Sequence, residues 1–244
     1  MQVHGAAQSV REGRRAIDRD WLTVTGLAFV AGFVDAAAFV ALAGLFTAHV
    51  TGNFVLIGAE LVSTSNGVIA KLCALPAFVL AVAATRLIAL ALERRRIGVL
   101  RALLGLEALV LACFGAFGLA LGPFPSPDSA PAVCVGMLGV IAMGIQNATG
   151  RLALGHLAAT TVMTVNVTQT VLDVTDLLRG ERGDGDRTRA RLRRMLPAVL
   201  AFAIGALAGA FGIAAWSFWC LVVPVLALAA LMIVSEPIQD HSGP

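Results

Sequence analysis

Two polar clusters interrupt an otherwise apolar chain, and they share one spelling. Thr47, Thr51 and Asn53 form a Thr-x-x-x-Thr-x-Asn pattern, and Thr160, Thr164 and Asn166 repeat it 113 residues later. Each cluster directly follows an apolar segment. Upstream of the first stands Gly32-Phe33-Val34-Asp35, and Gly144-Ile145-Gln146-Asn147 falls opposite it at an offset of 112. Hydroxyls and amides at such breaks can cap exposed backbone groups, and irregular backbone at membrane depth survives only where protein or a water-filled cavity satisfies it. His49, inside the first cluster, titrates near neutral pH and could exchange a proton with Asp35. An ionised carboxylate in the middle of a span costs at least about 2.5 kcal/mol, so Asp35 must face protein or water. It reads as a protonatable site or cation partner, or else as a structural acid bonded to a neighbouring helix. A helix beginning within the first cluster would aim its free N–H groups and positive dipole end at a cavity, favouring an anionic or polar solute.

The chemistry that fits this set is passage of a small solute or a proton. The expected pathway residues are Asp35, Thr47, His49, Thr51, Gly52, Asn53, Gln146, Asn147, Thr160, Thr164 and Asn166. Glu107 is a further polar candidate within an apolar segment, while Glu60, Asp173 and Asp176 read as interfacial. The competing reading is that Thr and Asn only join helices through side-chain hydrogen bonds. Enzyme motifs are missing: there is no G-x-S-x-G elbow, no H-E-x-x-H, no P-loop lysine and no dinucleotide glycine fingerprint. Four scattered histidines suggest no metal site, and no cofactor is expected.

The elements that must carry these residues follow from composition. The chain has 244 residues, 58% hydrophobic and 14% charged, with a mean hydropathy of +0.86, far from a soluble domain and typical of an integral membrane protein. The apolar stretches have the length a helix needs to cross about 30 Å of hydrocarbon. Strong spans are predicted at 22–46, 67–92, 98–122, 131–152, 195–215 and 216–235. Two weaker segments, 47–64 and 156–178, each begin with a copy of the signature. If both enter the membrane and leave on the same side, Arg94, Arg95, Arg96, Arg101, Arg151 and the loop from Arg179 to Arg194 share the cytoplasmic side with the arginine-rich N-terminus; full crossing would expose most of them outside. The first arrangement fits the positive-inside rule. The expected fold is therefore an all-α polytopic membrane helix bundle, with six spans plus two re-entrant or broken polar helices. Three spans and one re-entrant segment per half make the halves, 22–122 and 131–235, an inverted internal repeat. Residues 1–21 form a cytoplasmic N-terminal segment, 22–235 a single membrane domain, and 236–244 a C-terminal tail.

The net charge of +3 is expected to serve topology and contact with membrane lipids, with no nucleic-acid partner. Cys73, Cys113, Cys134 and Cys220 lie in apolar segments without C-x-x-C spacing and read as packing residues.

Gly32-Phe33-Val34-Asp35, Phe46-Thr47-Ala48-His49-Val50-Thr51-Gly52-Asn53, and Met143-Gly144-Ile145-Gln146-Asn147 with Thr160-Thr161 resemble the YoaK family of bacterial multi-spanning membrane proteins. The resemblance covers about residues 22–235 and implies a bacterial inner-membrane location with both termini cytoplasmic. It implies no substrate. The expected function is a small-molecule membrane transporter, with Asp35 as the candidate site for proton coupling. A passive channel-like facilitator and a non-transporting scaffold or sensor stand as alternatives.

Overall fold

The computed structural model describes residues 2–63, 67–155, 163–179 and 185–235, and in the first helix it describes side chains from Asp20 onward. Eight α-helices follow one another among these residues: α1 Gln2–Ala41, α2 Gly52–Ser63, α3 Val68–Arg94, α4 Val99–Leu121, α5 Ala130–Ala153, α6 Met163–Arg179, α7 Gly185–Trp216 and α8 Val222–Val234. A 3-10 turn, Ser217–Leu221, links α7 to α8, and the described residues contain no strand. The N-terminal segment is helical and continuous with the first span.

Five stretches are long and apolar enough to cross a membrane: Asp20–Ala41, Val68–Arg94, Val99–Leu121, Ala130–Ala153 and Gly185–Val234. The last holds 50 residues, about 75 Å of helix and more than twice the hydrocarbon thickness. It doubles back. Ser217 turns the chain at φ 50, Cys220 lies against Gly212, and Leu231 reaches Gly26 near the beginning of the first pass. The bundle therefore has six passes.

Residue pairings set the direction of each pass. Phe29 lies against Gly205, Phe33 against Gly209, and the Trp21 indole nitrogen donates to Arg193 O at 3.3 Å, so α1 and α7 are parallel. Gln146 bonds Leu27 O at 2.8 Å while Gly136 lies against Leu42 and Leu45, so α5 is antiparallel to α1. If α2 crossed the membrane, α5 would run parallel to α1. If α6 crossed, α7 would run antiparallel to it. Neither helix crosses, and both are short and enter and leave on one side. As a result Arg94, Arg95, Arg96, Arg101, Arg151, Arg193 and Arg194 all lie at the end of the bundle where α1 enters, here called the near end.

Backbone polar groups in lipid must be satisfied within the chain, so every pass is helical and the breaks lie at the ends or against protein. At the far end Asp128 caps α3, accepting from Gly67 N at 2.8 Å and Ile69 N at 2.9 Å. The larger apolar cluster of the core is drawn mainly from α1, α4, α5 and the α7–α8 turn, including Leu27, Val34, Leu111, Phe114, Met143 and Phe218. Outward faces are apolar too: Val62, Leu80, Leu87, Phe211 and Ile233 are exposed, as lipid contact requires.

Candidate functional site

The site begins where α1 ends. Gly44, at φ +83, takes a left-handed backbone that other residues rarely adopt, and lets the chain fold back beside α1. Residues 45–51 then return to the depth of Asp35, six residues or about 9 Å before the end of α1. There Asp35 catches the returning strand of chain. One carboxylate oxygen, Oδ1, accepts from Thr47 N at 2.7 Å, Ala48 N at 2.7 Å and Thr47 Oγ1 at 3.2 Å. The other, Oδ2, lies 2.7 Å from His49 Nδ1. Asp35 is 4% exposed and Thr47 is fully buried, so these bonds form away from solvent. Hydrogen bonds to a charged group contribute about 1.5–3 kcal/mol each, enough together to hold the tip inside the bundle.

Asn53 completes the tip. Its amide clamps one peptide unit from both sides, Oδ1 accepting from Phe46 N and Nδ2 donating to Phe46 O, each at 2.9 Å. Gly52 leaves room for the Phe46 ring, since a Cβ there would lie 3.0 Å from it. From this tip α2 climbs back over 12 residues, about 18 Å. At its upper end Glu60 Oε1 lies 2.6 Å from Lys71 Nζ, which also donates to Ala43 O at 2.8 Å. The Lys71 side chain is 1% exposed, so the turn after α1, α2 and α3 are tied by one buried cation.

Beside the tip lies a cavity of about 520 Å³, lined by Asp35, Phe39, Phe46, His49, Gly52 and, from α7, Phe202, Ala206 and Ala210. Its walls are mostly apolar. His49 Nδ1 is fixed by Asp35, and Nε2 has no protein partner among the described residues, so the imidazole is an oriented polar group at the cavity wall. The Phe202 ring meets it edge-on at 5.5 Å between centroids.

Two expectations change here. The N–H groups expected to be free for a solute are taken: Asp35 holds those of Thr47 and Ala48, and the first turn of α2 bonds to itself through Gly52 N to His49 O, Asn53 N to Val50 O and Phe54 N to Thr51 O. The chain's own carboxylate takes the N–H groups just ahead of this helix. Glu60 and Asp173, expected as interfacial charges, are drawn into ion pairs: Asp173 is buried and Glu60 half-buried.

The expected residues divide as follows. Asp35, Thr47, His49, Gly52 and Asn53 form one unit, while Thr51 is exposed and outside the Asp35 network. In the second half Thr160 lies outside the described residues. Thr164 is exposed on α6, and Asn166 is buried with its amide 3.9 Å from Met163 Sδ. None of Asp35, Thr47, His49 and Asn53 bonds to this second signature. Met163 packs with Val24, Ala28 and Ala198, so α6 begins toward the near end, about 10 Å down α1 from Asp35. Asn147 donates to Met143 O of its own helix at 3.2 Å, and Gln146 bonds α1 instead of the cavity. Asp173 pairs with Arg191, whose Nε donates to Oδ2 at 2.8 Å. Lys71 and the α7 wall of the cavity were absent from the sequence expectation; the wall lies some 170 residues from Asp35, and only tertiary packing brings it there.

Between the two helix starts, α1 and α7 touch through glycines. A Cβ on Gly32 would stand 2.2 Å from Phe202 O, one on Gly205 2.2 Å from Phe29 O, and one on Gly209 2.1 Å from Phe33 O. Such backbone contact is possible only for glycine and leaves no opening between the helices.

A family model described as a protein of unknown function, DUF1275, matches residues 23–234. No curated protein and no solved structure matches the chain.

Proposed function

Because the chain belongs to the DUF1275 family, whose description assigns no activity, we propose from the site itself that the protein is a small-molecule membrane transporter. One observation carries this reading: a re-entrant hairpin is held inside the bundle by Asp35 and presents His49 to a cavity of about 520 Å³. A merely structural hairpin would have no use for an oriented imidazole with a free ring nitrogen. The apolar walls and the single polar contact suit a solute with an apolar body and one hydrogen-bonding group. The glycine-packed α1–α7 contact is the barrier that must part for passage.

The inverted-repeat reading gains support from matched features. Glu60 and Asp173 are 113 residues apart, each on a short non-crossing helix, and each pairs with a cation near the start of the next pass, Lys71 or Arg191. Gly32 and Gly144, 112 apart, both sit at close crossings, α1 with α7 and α3 with α5. Both crossings are between parallel helices, while α1 and α5 run oppositely. The near end, rich in arginine, is read as cytoplasmic, in the inner membrane of a bacterium, and the YoaK resemblance is read as naming this same family. Partners are membrane lipids and the solute.

The test is flux into liposomes containing the purified protein. Across a panel of small amphiphilic solutes, at least one should enter faster than into empty vesicles, and His49→Ala should cut that rate at least tenfold while leaving the protein folded. No accelerated solute, or a His49→Ala rate equal to wild type, refutes the reading. Flux independent of a proton gradient would favour a passive facilitator. Cysteine at Ser126 should label from outside the cell and cysteine at Arg95 should not.

A further inference from the structure

A second polar site lies toward the near end, apart from the hairpin. Glu107 on α4 is fully buried, and neither carboxylate oxygen has a hydrogen-bond partner among the described residues. Gln146 on α5 is equally buried. Its Nε2 donates to Leu27 O at 2.8 Å, and its Oε1 is unpartnered.

The register of the two helices puts these groups on facing sides at one depth. A short connection makes α4 and α5 antiparallel, and Gly139 of α5 lies against the Phe114 ring of α4. Seven residues are close to two helical turns, so seven forward on α5 and seven back on α4 keep both face and depth. That step leads from Gly139 to Gln146 and from Phe114 to Glu107. Leu103, Leu104, Leu111, Leu27 and Leu228 are buried around this level. The charged residues of the surrounding passes lie elsewhere: Arg101 and Arg151 are exposed toward the near end, Asp20 lies at the entry of α1, Asp35 is held by the hairpin, and α8 has none.

Three buried acceptor atoms thus have no donor partner among the described residues. Acceptors cannot satisfy one another, and an anion left there would be without any compensating charge. A hard divalent cation asks for six or more oxygens, double what is present. One proton resolves the deficit. We propose that Glu107 and Gln146 form a proton-binding site, in which Glu107 carries a proton at neutral pH and donates it to Gln146 Oε1. In the transporter reading, on which this last step alone rests, it is the site of the coupled proton, reached only when the surrounding passes separate.

Infrared spectroscopy of the purified protein in lipid, with no solute added, tests the proton directly. Wild type at neutral pH should show the carbonyl band of a buried neutral carboxylic acid. The band should vanish in Glu107→Gln and move to higher frequency in Gln146→Leu, which removes its acceptor. Carbon-13 labelling of glutamate should shift it in the wild type, so the result stands even where Glu107→Gln does not fold. A missing band, a band insensitive to the glutamate label, or one that appears only when sodium and potassium are replaced by a bulky organic cation overturns the proposal. Absence of solute flux with the band intact would instead count against the transporter reading alone.

Discussion

The two short helices, α2 and α6, are variations on one device with different internal chemistry. Each enters and leaves on one side, each carries a carboxylate, and each is tied by that carboxylate to a cation on the following pass. The α2 unit is sealed: Lys71 is 1% exposed, and the tip is gathered by a charged Asp35. In the α6 unit Arg191 is 48% exposed, and the residue matching Asp35 is the neutral Asn147. An amide cannot accept as a carboxylate does, so the second half lacks the charge that draws two backbone N–H groups onto one oxygen. The two short helices thus share a carboxylate–cation tie but differ in its enclosure: the Lys71 side chain is buried, while the Arg191 side chain is half-exposed.

Removing the cation from each unit tests this contrast most strongly. Lys71→Ala leaves Glu60 half-buried without its partner and releases Ala43 O, so a loss of about 3–5 kcal/mol is expected in the unfolding free energy in mixed micelles. Arg191→Ala strands the buried Asp173 carboxylate, but water can enter where the half-exposed guanidinium stood, so a smaller loss is expected. Equal losses would mean that the two units are equally enclosed.

The tip comes next. Asp35→Ala removes the acceptor for Thr47 N, Ala48 N and His49 at once, and a loss of about 3 kcal/mol is expected, together with faster labelling of a cysteine placed at Thr51. Asn147→Ala should be milder and should leave labelling at Thr51 unchanged. If the two substitutions opened the hairpin equally, Asp35 would not be what holds it.

Much of this contrast was legible in the residue order, for reasons that also mark where legibility ends. Arginine placement alone favoured two non-crossing segments, because near-end charge depends on the parity of crossings. Asp35, Thr47, His49 and Asn53 could be grouped because the fold-back is local, within 18 residues of chain. The fate of the amides could not be read, since a carboxylate upstream and a solute in the cavity are equivalent candidates to fill the same donors. The burial of Lys71 was hidden for a different reason: beside a loop it reads as a surface cation, and only the return of α2 covers it. Thr164 shows the converse. It has the right letter at the right offset but an exposed position, because α6 meets α7 through Met163 and Asp173 instead.

The parallel crossings offer a smaller effect. Alanine at Gly209 would put a Cβ 2.1 Å from Phe33 O, backbone that can yield only if α1 and α7 separate, whereas alanine at Gly144 meets the Ala81 Cβ at 2.8 Å. Overpacking of this kind costs about 1–3 kcal/mol, and Gly209→Ala should lie at the upper end with Gly144→Ala below it. In the transporter reading Gly209→Ala should also raise leak through the barrier, read as flux without a gradient; a tighter barrier would reverse the assignment of the α1–α7 contact.

The smallest expected effect separates the two carboxylate ties by solvent access. Arg191 beside Asp173 holds that carboxyl below the ordinary aspartate range, helped by the Gln169 amide and opposed by burial. A lowered value means that the stabilisation is complete above the unfolded aspartate value, about 3.9, and fades as pH falls through the folded one. The protection of α6 amides, exchange measured relative to the intrinsic rate at each pH, should therefore fall below about pH 4, and Arg191→Ala should abolish that dependence. Salt distinguishes the units without changing any proton. At about 1 M the screening length is near 3 Å, which weakens a half-exposed pair and leaves an enclosed one almost untouched. Exchange should rise with salt in α6 and stay constant in α2; a rise in α2 would mean that water reaches Lys71, and the sealed unit would not be sealed.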